Sequence, residues 1–374
     1  MSLSRLLAIL VKEFLQLRRD RLTFAMMIGV PVMQLVLFGF AINTDPRALP
    51  TAVFVADHSV HARSLVAGLE QSGYFRITAL PPSATGAARL LETGQVQFVL
   101  EIPAGFARAL ERGERPALLF AADATDPAAS GAALAAIDAI ARQALAHDMT
   151  GTLAPLAPTG LPYEIRIQRR YNPEGLARYN IVPGLLGVIL TMTMVMMTGL
   201  AMTRERERGT MENLLATPAL PLEVMVGKIT PYIAIGYVQV LVVLVAARWL
   251  FDVPMLGSYA LLALALALFM GANLAVGFTF SIIARSQLQA MQLTFFFFLP
   301  SMLLTGFMFP FRGMPGWAQT IGEALPLTHF LRVVRGIMLK GNGLADIAPH
   351  LWPIALFMLA AGSFALFSYR RTLD

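Results

Sequence analysis

Between two long apolar runs of the chain, residues 204–218 read RERERGTMENLLATP. The apolar runs cover residues 181–203 and 229–251, and each is long enough to cross a bilayer as a helix. Six of the fifteen residues in the block are charged, so the block cannot lie in hydrocarbon. Its arginines place it in the cytoplasm, because short loops rich in Arg and Lys stay inside. A short charged helix between two spans is what a membrane subunit needs if a soluble motor drives it.

The composition is that of an integral membrane protein. Of the 374 residues, 56% are hydrophobic and 14% are charged, whereas a soluble domain averages about 25% charged. A net charge of +6 in a soluble protein would suggest a nucleic-acid partner. Here the basic residues cluster beside apolar runs and no nucleic-acid-binding motif accompanies them, so we expect no nucleic acid. The chain has no cysteine, which excludes disulfides and Cys-ligated metals.

Apolar runs predict an α-helical integral membrane protein with six transmembrane helices and both termini in the cytoplasm. Residues 1–21 predict an amphipathic helix lying on the membrane, with one apolar face. Residues 22–42 predict the first span. The alternative is a signal peptide, but the run is too long for one. The five later spans are predicted at residues 181–203, 229–251, 259–284, 288–309 and 351–369.

Residues 43–180 predict an inserted α/β domain with a mixed sheet. Short apolar strands alternate with amphipathic helices, and no run in this region could span a membrane. Because one span separates it from the basic N-terminus, we expect it outside the cytoplasm. The strands are predicted at residues 51–56, 74–79, 96–102, 117–122 and 165–171, and the helices at 62–71, 84–93, 103–112 and 128–150.

Residues 310–350 are basic although this topology places them outside. Their prolines divide the segment into short helices, and their apolar residues predict a re-entrant hairpin that closes the pathway from outside. Arg332 and Arg335 would then lie at the level of the lipid headgroups. The alternatives are a solvated loop and a seventh pass that moves the C-terminus outside. We predict these gate residues: Pro310, Pro315, Pro326, His329 and Arg335.

The sequence predicts no catalytic, cofactor or metal site. Gly227-Lys228 lacks the glycine spacing of a phosphate-binding loop, and His58 and His61 are expected to be solvated loop residues. Polar uncharged residues within the spans could line a path for a hydrophobic substrate or hold helices together. Examples are Thr191, Thr193, Thr198, Gln239, Asn273, Gln287, Gln289 and Gln292.

The charged block itself has the features of a docking helix. Thr210 can cap its N-terminus, Glu212 suits the first turn, and Pro218 ends it. The alternative is a solvated loop between two spans, whose arginines only fix the orientation of those spans in the membrane. We predict these residues for coupling to an ATPase: Glu205, Glu207, Gly209, Thr210, Glu212, Leu214 and Leu215.

Taken in order, four stretches resemble the ABC-2 type transporter permeases of the subgroup with a large extracytoplasmic domain between the first two spans. Asn213 departs from the Glu or Gln that a reciprocal capping box would have. The stretches are VKEFLQLRRD at 11–20; RYNP at 170–173 with VPG at 182–184; residues 205–218 with EVMVGK at 223–228; and GFMFP at 306–310, MP at 314–315, PLTH at 326–329, RG at 335–336 and KG at 340–341.

The resemblance implies the permease subunit of an ATP-driven ABC exporter, a transport subunit and not an enzyme. It would move a hydrophobic or amphipathic substrate, such as a drug or lipid, out across the bacterial inner membrane. ATP would bind cytoplasmic ATP-binding cassette subunits on separate chains, with the coupling helix, residues 204–218, in a groove on them. A second permease copy or paralogue would complete a twelve-span pathway in the lipid bilayer, and a periplasmic adaptor could dock on the α/β domain.

The competing hypothesis is a membrane-anchored extracytoplasmic sensor or assembly scaffold without transport. A sensor needs a cytoplasmic output domain, and the longest internal cytoplasmic segment predicted is only residues 204–228. Fold-level resemblance does not give the substrate, because exporters of several classes share this plan.

Overall fold

The structure of the chain, a computed structural model, describes residues 46–146, 163–207 and 221–371. The predicted N-terminal helix and first span, residues 1–21 and 22–42, lie outside these ranges. The described residues form an α/β domain followed by a helical bundle.

Strands and helices alternate along the α/β domain, as the sequence predicted. They are β1 (Leu49–Val55), α1 (Val60–Gln71), β2 (Phe75–Ala79), α2 (Ala84–Glu92), β3 (Phe98–Ile102), α3 (Phe106–Glu111), β4 (Ala117–Asp123), α4 (Pro127–Ala146) and β5 (Glu164–Arg170). The strands form one sheet in the order β2-β1-β3-β4-β5. Among the strands that the structure describes, β3 and β4 are the one pair that runs antiparallel, so the predicted mixed sheet is confirmed.

The domain has a hydrophobic core on each face of its sheet. On one face Phe75, Phe98 and Phe120 pack with ring centroids 5.3, 5.4 and 5.5 Å apart, beneath α1, α3 and α4. On the other face α2 covers the sheet with Ala87 and Leu91. Helices on both faces explain why the central strands read as near-continuous apolar runs.

In the part of the chain that the structure describes, seven helices follow the sheet. They are α5 (Ala177–Glu207), α6 (Pro221–Trp249), α7 (Tyr259–Ile283), α8 (Gln287–Leu304), α9 (Gly316–Ala324), α10 (Pro326–Arg335) and α11 (Leu344–Arg371). Five of them, α5 to α8 and α11, are long and apolar enough to cross a membrane. They correspond to the five later spans of the prediction. α11 begins seven residues earlier than the predicted residue 351.

The centre of the bundle is α7, which packs between α5 and α11. At Gly277 a Cβ would lie 2.6 Å from the carbonyl oxygen of Val195 on α5. A small residue at this position therefore lets the two backbones approach closely, as is common between membrane helices. On α7, the ring of Phe269 stacks on Phe330 of α10 with centroids 4.1 Å apart.

Residues 306–341 form what we call the hairpin. A 3₁₀ turn (Phe311–Gly313), α9, α10 and one π-helical turn (Gly336–Lys340) follow each other between Gly306 and Gly341. These two glycines have φ of 83° and 72°, in the left-handed region that favours glycine. The short helices of the predicted hairpin are confirmed, but residues 344–350 belong to α11.

Candidate functional site

The predicted coupling residues lie at and beyond the end of α5. Glu207 is in the last turn of α5, where its carboxylate accepts hydrogen bonds from the backbone N–H of Gln287 at 2.7 Å and from its side-chain amide at 2.5 Å. These bonds lower the pKa of Glu207. Glu207 therefore joins the end of α5 to the start of α8. The other predicted coupling residues are outside the described side chains: Glu205, Gly209, Thr210, Glu212, Leu214 and Leu215.

The three predicted gate prolines stand at the element boundaries of the hairpin. Pro310 precedes the 3₁₀ turn, Pro315 precedes α9, and Pro326 is the first residue of α10. Proline suits the first turn of a helix because its ring fixes φ and its missing N–H would have no intrahelical partner there. These prolines therefore set where each short helix of the hairpin begins.

His329 is buried on α10 and holds two neighbouring segments. Its Nε2 lies 2.9 Å from the carbonyl oxygen of Glu323, so Nε2 carries the proton and donates to that oxygen. Its Nδ1 lies 3.5 Å from Nδ1 of His350 on α11. Burial lowers the pKa of His329. The neutral imidazole thus links α9, α10 and α11.

Arg332 belongs to the same corner of the hairpin. Its guanidinium donates to both carboxylate oxygens of Glu323, at 2.6 and 3.1 Å, and lies 4.8 Å from the centre of the Phe311 ring. Burial alone would raise the pKa of Glu323, but the hydrogen bond and charge of Arg332 outweigh it and lower that pKa. Arg332 is therefore committed to contacts within the hairpin.

Arg335 lies between the hairpin and the α/β domain. Its two terminal nitrogens donate to the carbonyl oxygen of Gly306, each at 3.3 Å. Burial lowers the pKa of Arg335, and the charge of Asp126 opposes that shift. The Asp126 carboxylate caps the start of α4 and accepts a 3.2 Å hydrogen bond from Asn180 on α5. These contacts bring Arg335 inside the protein, whereas the sequence predicted it at the lipid headgroups.

Three further contacts join the hairpin and α11 to the α/β domain. Lys340 Nζ lies 2.5 Å from Asp123 Oδ2 at the end of β4, with the two side chains only 8% and 13% exposed. Arg312 donates to the carbonyl oxygen of Gly94 at 2.7 Å, and Arg89 pairs with Asp346. Together with Arg335 and Asp126, these contacts form what we call the domain–hairpin junction.

Sequence reasoning missed the junction as a site. The signal was the excess of basic residues in a segment predicted to lie outside, which included Arg312, Arg335 and Lys340. The groups of the α/β domain that Arg312 and Lys340 contact are more than two hundred residues away along the chain: Gly94 is 218 residues from Arg312, and Asp123 is 217 from Lys340. Only the fold shows that these groups meet.

Comparison with known proteins finds one family whose match includes the α/β domain, the hairpin and the helical bundle. Residues 21–367 match the family described as ABC-2 family transporter protein. The chain belongs to the ABC-2 transporter family. The resemblance to ABC-2 type permeases that the sequence motifs indicated is thus confirmed at the level of the family, and this ABC-2 protein is a membrane-embedded permease of an ABC transporter.

Three relatives of this ABC-2 permease come from Escherichia coli strain K12. The probable multidrug ABC transporter permease YbhR is 27% identical over 98% of both chains. The probable multidrug ABC transporter permease YbhS is 28% identical over 91% of this chain and 90% of its own. The inner membrane transport permease YhhJ is 28% identical over 91% of this chain and 93% of its own.

Several polar residues within the spans of this ABC-2 permease bond within their own helix. Thr191 donates to the carbonyl oxygen of Gly187 one turn earlier, and Asn273 does the same to Phe269. Thr193 also donates to Gln239 of α6 at 3.0 Å. These bonds favour the interpretation that such residues satisfy backbone groups and hold helices together.

Proposed function

We propose that the chain is the membrane-spanning subunit of an ATP-driven exporter. It moves a hydrophobic or amphipathic substrate, such as a drug or a lipid, out across the bacterial inner membrane. Membership in the ABC-2 family over residues 21–367 is the observation that carries this proposal. The names of the relatives, multidrug permeases and an inner membrane transport permease, support the direction and the membrane.

The proposed topology has six spans and two cytoplasmic termini. Residues 22–42 supply the first span, residues 43–180 the extracytoplasmic α/β domain, and residues 181–374 the other five spans. Two features of the described residues support it. The α/β domain has its own core, as a domain in water requires, and Arg204 near the end of α5 is exposed, as expected for a cytoplasmic end.

The proposed complex contains cytoplasmic ATP-binding subunits on separate chains and a second permease, either a copy or a paralogue. The helix at residues 204–218 would dock on the ATPase. Glu207 supports this role because its bonds to Gln287 tie the end of α5 to the start of α8. A movement of the ATPase that displaces the end of α5 would therefore displace the start of α8 as well. A periplasmic adaptor could dock on the α/β domain.

In this proposal the hairpin is the outer gate. Gly306 and Gly341 bound it, and their left-handed conformations are suited to hinge positions. Against α5 it packs closely, since a Cβ on Gly184 would lie 2.6 Å from the Phe307 ring. Opening would separate the hairpin from α5 here. The buried pair of Lys340 and Asp123 is costly to break, so the α/β domain would move with the hairpin.

Transport in inverted membrane vesicles tests the proposal. Vesicles that contain the chain and its ATP-binding partner should accumulate labelled amphipathic dyes or lipids when ATP is supplied. The matched control is a partner whose phosphate-loop lysine is replaced, because that enzyme cannot use ATP. Accumulation that is equal with both partners would reject ATP-driven export and favour the sensor or scaffold hypothesis.

A further inference from the structure

We propose that strand β5 pairs with the same strand of a second copy of this chain, so that the two α/β domains share one continuous sheet. β5 is the last strand in the order of the sheet, and β4 is the one neighbour that it has among the strands that the structure describes. An edge strand offers its backbone groups to another strand. This inference rests on the second permease of the proposed function and specifies that it is a copy.

The outer edge of β5, which is the edge away from β4, is identified by the bonds to β4. The backbone N–H of Glu164 donates to the carbonyl oxygen of Pro116 at 3.0 Å, and the carbonyl oxygen of Arg170 accepts from the N–H of Ala124 at 3.2 Å. Successive residues of a strand direct their N–H and C=O groups to opposite sides. The even-numbered residues of β5 therefore bond to β4. The odd-numbered residues direct these groups to the outer edge: Ile165, Ile167 and Arg169.

The middle of β5 carries a large apolar side chain that a second strand would cover. Ile167 is 41% exposed, and its neighbours Arg166 and Gln168 are exposed on the other face of the strand. Ile165, on the same face as Ile167, packs against the core beneath α1 and α4. Pairing across Ile167 therefore extends this core from one copy to the other, and the burial of apolar surface favours it.

The charge pattern of β5 favours one register of an antiparallel pair. When Ile167 lies opposite Ile167 of the second copy, Glu164 lies opposite Arg170, and by symmetry this pair of opposite charges occurs twice. In the same register Arg166 lies opposite the uncharged Gln168. A shift of the centre by one residue places Arg166 opposite itself or opposite Arg170, and like charges directly opposite each other are destabilising.

The same register also satisfies the backbone of the outer edge. Ile167 faces its own copy and Ile165 faces Arg169, and these are the residues whose N–H and C=O groups are directed outward. Facing residues of this kind exchange both backbone hydrogen bonds in an antiparallel pair, with their Cα atoms about 5.5 Å apart. Because the register is centred on the strand, every outward-directed residue of β5 has such a residue opposite it.

The short link from β5 to the membrane brings the two strands to the same level. β5 ends at Arg170, and the candidate span α5 begins at Ala177. Within the link, the buried side chain of Asn172 donates to the carbonyl oxygen of Leu176 at 3.0 Å and accepts from its N–H at 2.9 Å. The link therefore holds β5 at a fixed distance from the start of the span, and two copies in one membrane present β5 at equal height.

Disulfide formation by single cysteines tests the register in the full chain, which has no cysteine of its own. Ile167→Cys is at the centre, where the two Cα atoms would lie within the roughly 4.4–6.8 Å that a disulfide requires. The matched control is Arg169→Cys, an exposed residue on the same face of β5, whose two copies would be offset by about 13 Å along the strand. We expect oxidation in membranes to cross-link Ile167→Cys at least about tenfold faster than Arg169→Cys.

Charge reversal in the Ile167→Cys background tests the side-chain pattern. Glu164→Arg places like charges opposite each other and should slow cross-linking at least about threefold. Adding Arg170→Glu restores opposite charges, so the double reversal should recover the rate. Failure of the double reversal to recover it would overturn the register.

Equal cross-linking at residues 167 and 169, or none at residue 167, would overturn the strand pairing. The charges of β5 would then only protect an edge strand from aggregation. Co-purification of two differently tagged copies separates this failure from a failure of the proposed function. Copies that co-purify without the cross-link would retain the second permease but remove this interface. Copies that do not co-purify would overturn the inference, whereas ATP-driven transport in vesicles is measured independently.

Discussion

Lys340→Met should loosen the contact between the hairpin and the α/β domain. The ammonium group of Lys340 lies 2.5 Å from Asp123, contacts the carbonyl oxygen of Leu91 at 3.4 Å, and lies 5.0 Å from the centre of the Tyr171 ring. The variant keeps an apolar side chain of similar length but removes the charge. Asp123 is then left largely buried without its cation.

The size of the effect follows from what Asp123 retains. Removing one partner of a buried ion pair usually costs about 3–5 kcal/mol. The Oδ1 atom of Asp123 keeps hydrogen bonds from the backbone N–H of Thr125 at 3.1 Å and from its hydroxyl at 2.8 Å. Because Asp123 keeps these bonds, we expect a loss below that range, about 2–3 kcal/mol in the free energy of local opening.

Hydrogen–deuterium exchange followed by mass spectrometry measures this loss of local stability in individual segments of the chain. Amides in β4 and in the π-helical turn should exchange roughly 30- to 150-fold faster in Lys340→Met, since about 1.4 kcal/mol corresponds to a factor of ten. A double-mutant cycle with Asp123→Asn should give a coupling energy of about 1–3 kcal/mol. The control is Arg166→Met, which breaks the exposed pair of Arg166 and Glu164 and should leave exchange unchanged.

Exchange in β4 that stays within threefold of wild type, or a coupling energy near zero, would refute the reasoning. The ion pair of Lys340 and Asp123 would then contribute no measurable stability, and the proposed joint movement of the α/β domain and the hairpin would lose its support.

Three further predictions concern coupling, topology and pH. Glu207→Ala removes the bonds to Gln287 and should lower transport per ATP hydrolysed while the ATPase still co-purifies; an unchanged ratio would contradict a coupling role. Cysteines introduced singly at exposed Ala135 and at Thr210 should react with an impermeant thiol reagent in intact spheroplasts only at residue 135; the opposite pattern would reverse the topology. Arg332 holds the pKa of Glu323 below its ordinary value of 4.5, so Glu323→Gln should destabilise α9 above about pH 4.5, and this difference from wild type should vanish as the pH falls through the folded-state pKa. A pH-independent difference in amide exchange would show that the carboxylate charge is not involved.

Much of the secondary structure could be predicted from the sequence because it depends on local apolar patterns. The predicted strand at residues 117–122 is β4, Ala117–Asp123, and the predicted span at 259–284 is α7, Tyr259–Ile283. The ends of α11 were harder to place. Residues 344–350 include Asp346 and His350, which lower the hydropathy of the first turns although the helix continues through them.

The junction could not be predicted because it depends on tertiary contacts. Arg335 was singled out as a gate residue, but its nearness to Asp126 requires both the strand order and the placement of α4 against the hairpin. Nor does the sequence reveal that Glu207 caps the start of α8, since Gln287 is 80 residues away. Charge excess in the hairpin was visible from the sequence; the groups that balance it were not.

Whether the hairpin must leave α5 for substrate to pass is tested most directly by a single disulfide. The chain has no cysteine, so Gly184→Cys with Phe307→Cys introduces the only thiols, on α5 and on the hairpin where they touch. Transport by the complex is measured in vesicles after oxidation and again after reduction, with disulfide formation followed in the same samples. The account predicts that oxidation abolishes ATP-driven transport and that reduction restores it. Transport at the reduced rate by fully oxidised protein would contradict the gate.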